Sequence, residues 1–192
     1  LSNSGASAPR LGIDDAGNVI AAWVRAGNIE SSTKLFGMKW QGRVIVMSNA
    51  AATPCIAIGG TGSNTRAVLV WQGTSNGLNV IYTSTKLLSG SWTSQAILSS
   101  SLRNAANPQV DVDSNANAIA VWYEYDVLGL SYTNVTVNSS ERLSSTAAWN
   151  DTVALSEPGI RNPSSLSANI AFDSFGNAIA IWNTSFDDET FN

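Results

Sequence analysis

Four runs of apolar residues recur along the chain, and each closes on tryptophan: Val19-Ile20-Ala21-Ala22-Trp23, Ala67-Val68-Leu69-Val70-Trp71, Ala118-Ile119-Ala120-Val121-Trp122 and Ala178-Ile179-Ala180-Ile181-Trp182. Successive side chains of a strand point to opposite faces, so a run that is apolar at every position predicts a strand covered on both sides. The indoles lie 48, 51 and 60 residues apart, an internal repeat. Ahead of Trp23, Trp122 and Trp182 stands an aspartate nine residues earlier (Asp14, Asp113 and Asp173), followed after three residues by Asn18, Asn117 and Asn177. Asp and Asn bond their own backbone in tight turns, and Gly or Asn tolerates positive φ. This stretch therefore predicts a turn feeding the buried strand. The second copy departs: Gly59-Gly60 stand at the aspartate position, and three extra residues precede Trp71.

A second series, Trp40, Trp92 and Trp149, precedes further apolar alternations that end at Met47-Ser48, Leu98-Ser99 and Leu155-Ser156. Between the two series, Ile29 to Leu35 aligns with Ile81 to Leu87 at an offset of 52. The third copy keeps only Tyr132-Thr133 of this stretch, with about seven extra residues before Trp149. Pro9, Pro54 and Pro108 fall at the entry of each first segment, where a missing N–H is harmless. Each unit thus holds four β-prone segments, two of them alternating as half-exposed strands do. No stretch carries a capped helical stripe, and the fold class expected is all-β.

Four strands in a unit of roughly 50 residues resemble the blade of a β-propeller. The pattern from Pro9 to Asn18 resembles the NHL-type repeat, and Gly90-Ser91-Trp92 resembles the last-strand entry of sialidase-type blades. The sialidase Asp-box sets its aspartate five residues before tryptophan, against nine here. The chain is therefore similar to a divergent bacterial propeller repeat. That resemblance implies four-stranded antiparallel blades over about 9–50, 54–100 and 108–157, a partial one over 167–192, and 1–8 as the tail of a preceding strand. A β-sandwich pair and a β-solenoid are the competing architectures. About three and a half blades leave an open face carrying Ile179 and Ile181, so self-association or further blades are expected to complete the ring. The first residue is Leu1, which suggests excision from a longer chain.

Composition narrows the chemistry. Of 192 residues only 12% are charged, while 27 Ser, 19 Asn and 14 Thr supply the polar surface. A net charge of −4 without a basic cluster disfavours nucleic acid, whose binding rests on neutralising phosphates. No apolar run approaches bilayer length, so membrane insertion is not expected. With no histidine and a single cysteine, Cys55, the chain has neither Ser-His-Asp chemistry nor an intrachain disulfide. No cofactor is expected.

The candidate sites follow. Asp111 to Asn117 opens like a calcium loop but has Ala116 where glycine belongs and Trp122 where the bidentate glutamate belongs, so no metal site is expected. Glu30, Glu124 and Asp126 lie outside the repeat register and are the carboxylates a glycosidase reading would use; Arg25 and Arg66 are the nearby arginines. The propeller resemblance implies that Trp23, Trp71, Trp122 and Trp182 recur at one depth near a common face. There they act either as wedges between blades or as a sugar-stacking ring, with Arg25, Gln72, Tyr123, Glu124 and Asn183 as hydrogen-bonding partners. Trp40, Trp92 and Trp149 are expected to cover outer edges, and Cys55 to be an unactivated thiol. The function expected is a non-catalytic binding or scaffold module, secreted or on a cell surface, with a glycan or protein ligand. Alternatives are part of a glycoside hydrolase or lyase propeller, and a purely structural repeat.

Overall fold

A computed structural model describes residues 4–48, 51–129, 131–161 and 166–183. Every regular element there is a strand except one 3-10 turn at Gly62–Asn64, so the chain is all-β. Sheet 1 is β1 (Ala6–Ile13), β2 (Val19–Arg25), β3 (Asn28–Lys34) and β4 (Val44–Met47). Sheet 2 is β5 (Ala51–Gly59), β6 (Arg66–Ser75), β7 (Leu78–Leu87) and β8 (Ala96–Ile97). Sheet 3 is β9 (Asn104–Val112), β10 (Ala118–Leu128), β11 (Ser131–Arg142) and β12 (Val153–Ala154), with β13 (Gly159–Arg161) also paired to β11. Sheet 4 is the hairpin β14 (Ala168–Phe172) and β15 (Ala178–Trp182). Sheets 1 and 2, and β9 to β12 of sheet 3, are antiparallel meanders in chain order.

The sheets stack in series because their middle strands are apolar on both faces. Ile20, Ala22 and Ile29 of sheet 1 pack on Ile58, Leu69 and Trp71 of sheet 2. The other face of sheet 2, with Val68, Val70 and Ile81, packs on Val112, Ala120 and Trp122 of sheet 3. Val121, Tyr123 and Val137 of sheet 3 then meet Ile170, Ala180 and Trp182 of sheet 4. Trp71, Trp122 and Trp182 therefore each face the preceding sheet, and the first strands β1, β5, β9 and β14 touch in turn. At the two ends of the stack Leu11 and Ile13 (67% and 66% exposed) and Ile179 and Ile181 (66% and 63%) stand in solvent.

The repeated polar residues hold the sheets' own turns. Asp14, Asp113 and Asp173 each accept the backbone N–H of the asparagine four residues on, at 2.8 Å, through Oδ1. Through Oδ2 each also accepts that asparagine's side-chain amide. Asn18 and Asn117 pass the connection on, their Oδ1 atoms accepting Phe36 N and Ser144 N from the turn beyond the third strand. Ser32, Ser84 and Ser140, in one register, donate to the carbonyls of Gln41, Thr93 and Asn150, the residues that follow Trp40, Trp92 and Trp149. Ser99 and Ser156 accept the amides of Ile81 and Val137, which accounts for two of the Leu-Ser pairs.

Two details depart from the sequence reading. Pro9, Pro54 and Pro108 lie inside their strands, each after a left-handed residue (Ala8, Thr53 and Asn107, φ 48°, 46° and 53°), and each sits at a register shift. A bulge leaves one amide out of the ladder, which is where proline fits without cost to pairing. The third copy is also out of step with its apparent alignment. Trp23, Trp71 and Trp122 pair with Glu30, Tyr82 and Asn138, so most of the third copy's extra residues lie in the β10–β11 hairpin instead of before Trp149. Tyr132 belongs to that extension, where it stacks on Tyr125 with ring centroids 4.1 Å apart.

Candidate ligand-binding site

The residues expected to form a sugar-stacking ring lie in four separate sheets, and three of their four indoles are buried. Trp23 is buried, and Trp71 and Trp122 have no exposed surface. Each of these indole N–H groups is used internally: Trp23 donates to Glu30 Oε2 at 2.9 Å, Trp71 to Met47 Sδ at 2.8 Å, and Trp122 to Glu124 Oε1 at 3.0 Å. Trp71 also stacks on Tyr82 at 5.9 Å. Trp182 is half-buried against sheet 3. Trp71 and Trp122 are thus enclosed between sheets, the arrangement of a wedge, whereas Trp23, although buried, lies on the face of Ala21 and Leu11 at the first end of the stack.

The predicted polar partners fall into distinct clusters. Arg25 and Arg43 both pair with the buried carboxylate of Glu30. Glu124 accepts Ser100 N at 2.8 Å and lies 3.9 Å from Arg103, whose Nε holds Asp126 at 3.2 Å. The Asn134 amide, and after it Arg103, holds the Asp126 carboxyl below its ordinary range. Tyr123 donates its hydroxyl to Ser167 O and approaches Asn183 Oδ1 at 3.2 Å, joining sheets 3 and 4. Gln72 is half-buried on β6. The clamped carboxylates suit a structural role: a general acid needs a raised pKa, and Asp126 is shifted the other way.

The aspartate turns converge at the opposite end of the strands on a bowl of about 280 Å³, lined among others by Asp14, Asp15, Asp111, Asp113 and Asp173. Asp14, Asp113 and Asp173 are committed to their own asparagines, and Asp111 accepts Val112 N and Phe172 N. Among the described residues no three or more His, Cys, Asp or Glu side chains are placed to hold one metal ion.

The feature best built for a ligand is one that sequence reading did not point to. Between sheets 1 and 2 a cleft of about 330 Å³ runs from Gln41 and β4 to Ser91, Trp92 and Thr93, with Lys86 and Thr33 on its wall. Its size is at the small end for ligand pockets. Trp92 is half-buried, donates its indole N–H to Ser31 Oγ at 2.8 Å, and so is held across the sheet boundary. Lys86 is buried; its ammonium donates to Thr33 Oγ1 at 3.2 Å and lies 5.8 Å from the centre of the Trp92 ring. Burial pushes its pKa below the ordinary 10.5. Hydroxyls, an amide, an indole and an ammonium therefore meet in one solvent-reaching recess. The only advance signal was the alignment of Lys34 with Lys86; the cleft itself arises from packing between sheets.

Cys55 is half-buried, with Sγ 3.4 Å from Gln109 Oε1, and burial pushes its thiol up from the ordinary value of 9.0. Arg10, Cys55 and Gln109 do occupy one register, opposite Ala22, Val70 and Val121. Among the described residues no helix is long and apolar enough to cross a membrane. No protein-family model and no curated protein sequence matches this chain.

Proposed function

We propose that this chain is part of a β-propeller and serves as a non-catalytic binding module whose ligand, a saccharide, sits in the cleft between sheets 1 and 2. The carrying observation is the cleft: the Trp92 indole offers an apolar plane, while Ser91, Thr93 and Gln41 offer hydrogen-bonding groups beside it. Sugars present C–H patches and hydroxyls together, and that pairing matches. The propeller arrangement is supported by three four-stranded meanders and a hairpin stacked face to face, with first strands touching in series. The bare apolar ends of the stack favour completion of the ring by further blades or a second copy. Low charge and hydroxyl richness fit a secreted or cell-surface setting. The glycosidase alternative needs two carboxylates flanking one bond, one of them with a raised pKa, whereas Glu30 is bound apart in sheet 1, and of Glu124 and Asp126, both on Arg103 in sheet 3, Asp126 is held below its ordinary range.

The test is a glycan panel followed by tryptophan fluorescence on the wild-type chain and on Trp92→Phe. Saturable change for at least one glycan, weakened about tenfold or more by Trp92→Phe, supports the reading. Product release from any glycan, or binding indifferent to Trp92, contradicts it.

A further inference from the structure

We infer that the boundary between sheets 2 and 3 holds a small divalent oxyanion, sulfate or phosphate, between the guanidiniums of Arg66 and Arg142. Arg66 opens β6, opposite Gly59 and Leu87; Arg142 closes β11, opposite Ala118. Side-chain alternation puts Arg66 on the face of Val68 and Val70, which packs on sheet 3. It puts Arg142 on the face of Ala118, which packs on sheet 2. Both cations are thus directed into one boundary.

Each leaves a buried nitrogen without a partner there. Arg142 is 2% exposed, yet its Nη1 has no hydrogen-bond partner, and neither has the buried Nε of Arg66, among the described residues. The ion pairs among those residues belong to Arg25, Arg43 and Arg103. Burial, and then the neighbouring charge of Arg66, disfavours the charged form of Arg142. A guanidinium does not escape by releasing its proton, so the buried Arg142 beside the half-buried Arg66, each with an unpartnered nitrogen, is costly. An oxyanion removes the cost, since planar N–H forks match its oxygens and two positive charges match its two negative ones. The burial of Arg142 selects for a compact free ion, which would act as a structural element of the stack, independent of the cleft at Lys86.

The test compares thermal unfolding of the wild-type chain, Arg142→Met and Arg66→Met in chloride, sulfate and phosphate at matched ionic strength. The wild-type midpoint is expected to rise by roughly 5 °C and to saturate when the anion is in large excess over its dissociation constant. Both variants are expected to show only the small unsaturating gain that excluded salts give generally. Arg142→Met should unfold no lower than wild type in chloride, because it deletes an unpaired charge. Equal anion responses in all three chains would overturn the inference, as would an Arg142→Met midpoint well below wild type in chloride. Calorimetry of the wild-type chain alone is a second route: saturable heat near one anion per chain supports the site, and no heat with either anion overturns it.

Discussion

The boundary between sheets 1 and 2 and that between sheets 2 and 3 use the same register positions but close differently. At each, an indole from the following sheet faces back: Trp71 in the first boundary, Trp122 in the second. At each, a basic residue opposite the fourth residue before that indole enters the boundary, Lys86 opposite Ala67 and Arg142 opposite Ala118. In the first, Lys86 finds a hydroxyl and an indole, and an open cleft remains beside it. In the second, backbone meets backbone: Gly60 N donates to Asp113 O at 2.8 Å, and Asn64 Nδ2 reaches Asn115 O at 3.3 Å. The Gly59-Gly60 departure from the repeated aspartate follows from this approach. A Cβ at Gly59 would collide with the carbonyl oxygens of Asp113 and Val112, and Gly60 needs φ +87°. One repeat thus yields one seam closed by backbone contact at Gly59-Gly60 and another that keeps an open cleft.

Removing the wedges should have the largest effect. Trp71→Ala and Trp122→Ala are each expected to cost about 3–5 kcal/mol in denaturant unfolding, since both indoles are fully buried. The milder Trp→Phe pair separates the boundaries. Trp122→Phe leaves the Glu124 carboxylate short of a donor, while Trp71→Phe loses only a thioether contact, so the first should cost about 1 kcal/mol more.

Glycine substitutions sharpen the same contrast. Gly59→Ala forces backbone apart at the closed seam and should cost about 3 kcal/mol. Gly12→Ala, in the first boundary, meets the Ile58 Cγ1 atom at 3.0 Å, a side chain able to give way, and should cost about 1 kcal/mol or less. Equal losses in the same unfolding measurement would contradict the distinction.

The asparagine ties come next. Asn117→Ala removes the side-chain amide's bond to Asp113 and the acceptor of Ser144 N, part-buried, and is expected to cost about 1–2 kcal/mol. Asn177→Ala, at the exposed equivalent in sheet 4, should cost about 0.5 kcal/mol.

The smallest effect is a pH slope. The folded-state pKa of Lys86 lies below its ordinary 10.5, so between the two values the unfolded chain binds more protons and stability rises with pH. Lys86→Met should flatten that rise in alkaline denaturation curves. An unchanged slope would mean that Lys86 is not desolvated.

The sheets were legible because the requirement they answer to is local: two-sided burial needs an unbroken apolar run, and a tight turn needs its Asp and Asn. The repeat of Trp23, Trp71, Trp122 and Trp182 carried both. The third copy misled because Tyr132-Thr133 imitates Tyr82-Thr83 while lying in a longer hairpin, and hairpin length is free where the tip meets solvent. Of the wedge and the stacking ring, the burial of Trp71 and Trp122 fits the wedge, because a residue ending a buried run is enclosed by the neighbouring sheet. The cleft at Trp92 and the Arg66–Arg142 pair depend on which faces meet between sheets, and no single strand's pattern records that.

Fluorine NMR of the chain labelled with 5-fluorotryptophan, titrated with a glycan that binds, tests the account most directly. The Trp92 resonance should shift saturably while those of Trp71 and Trp122 stay fixed and insensitive to a soluble paramagnet. Shifts at Trp71 or Trp122 with Trp92 silent would contradict both the wedge assignment and the placement of the ligand.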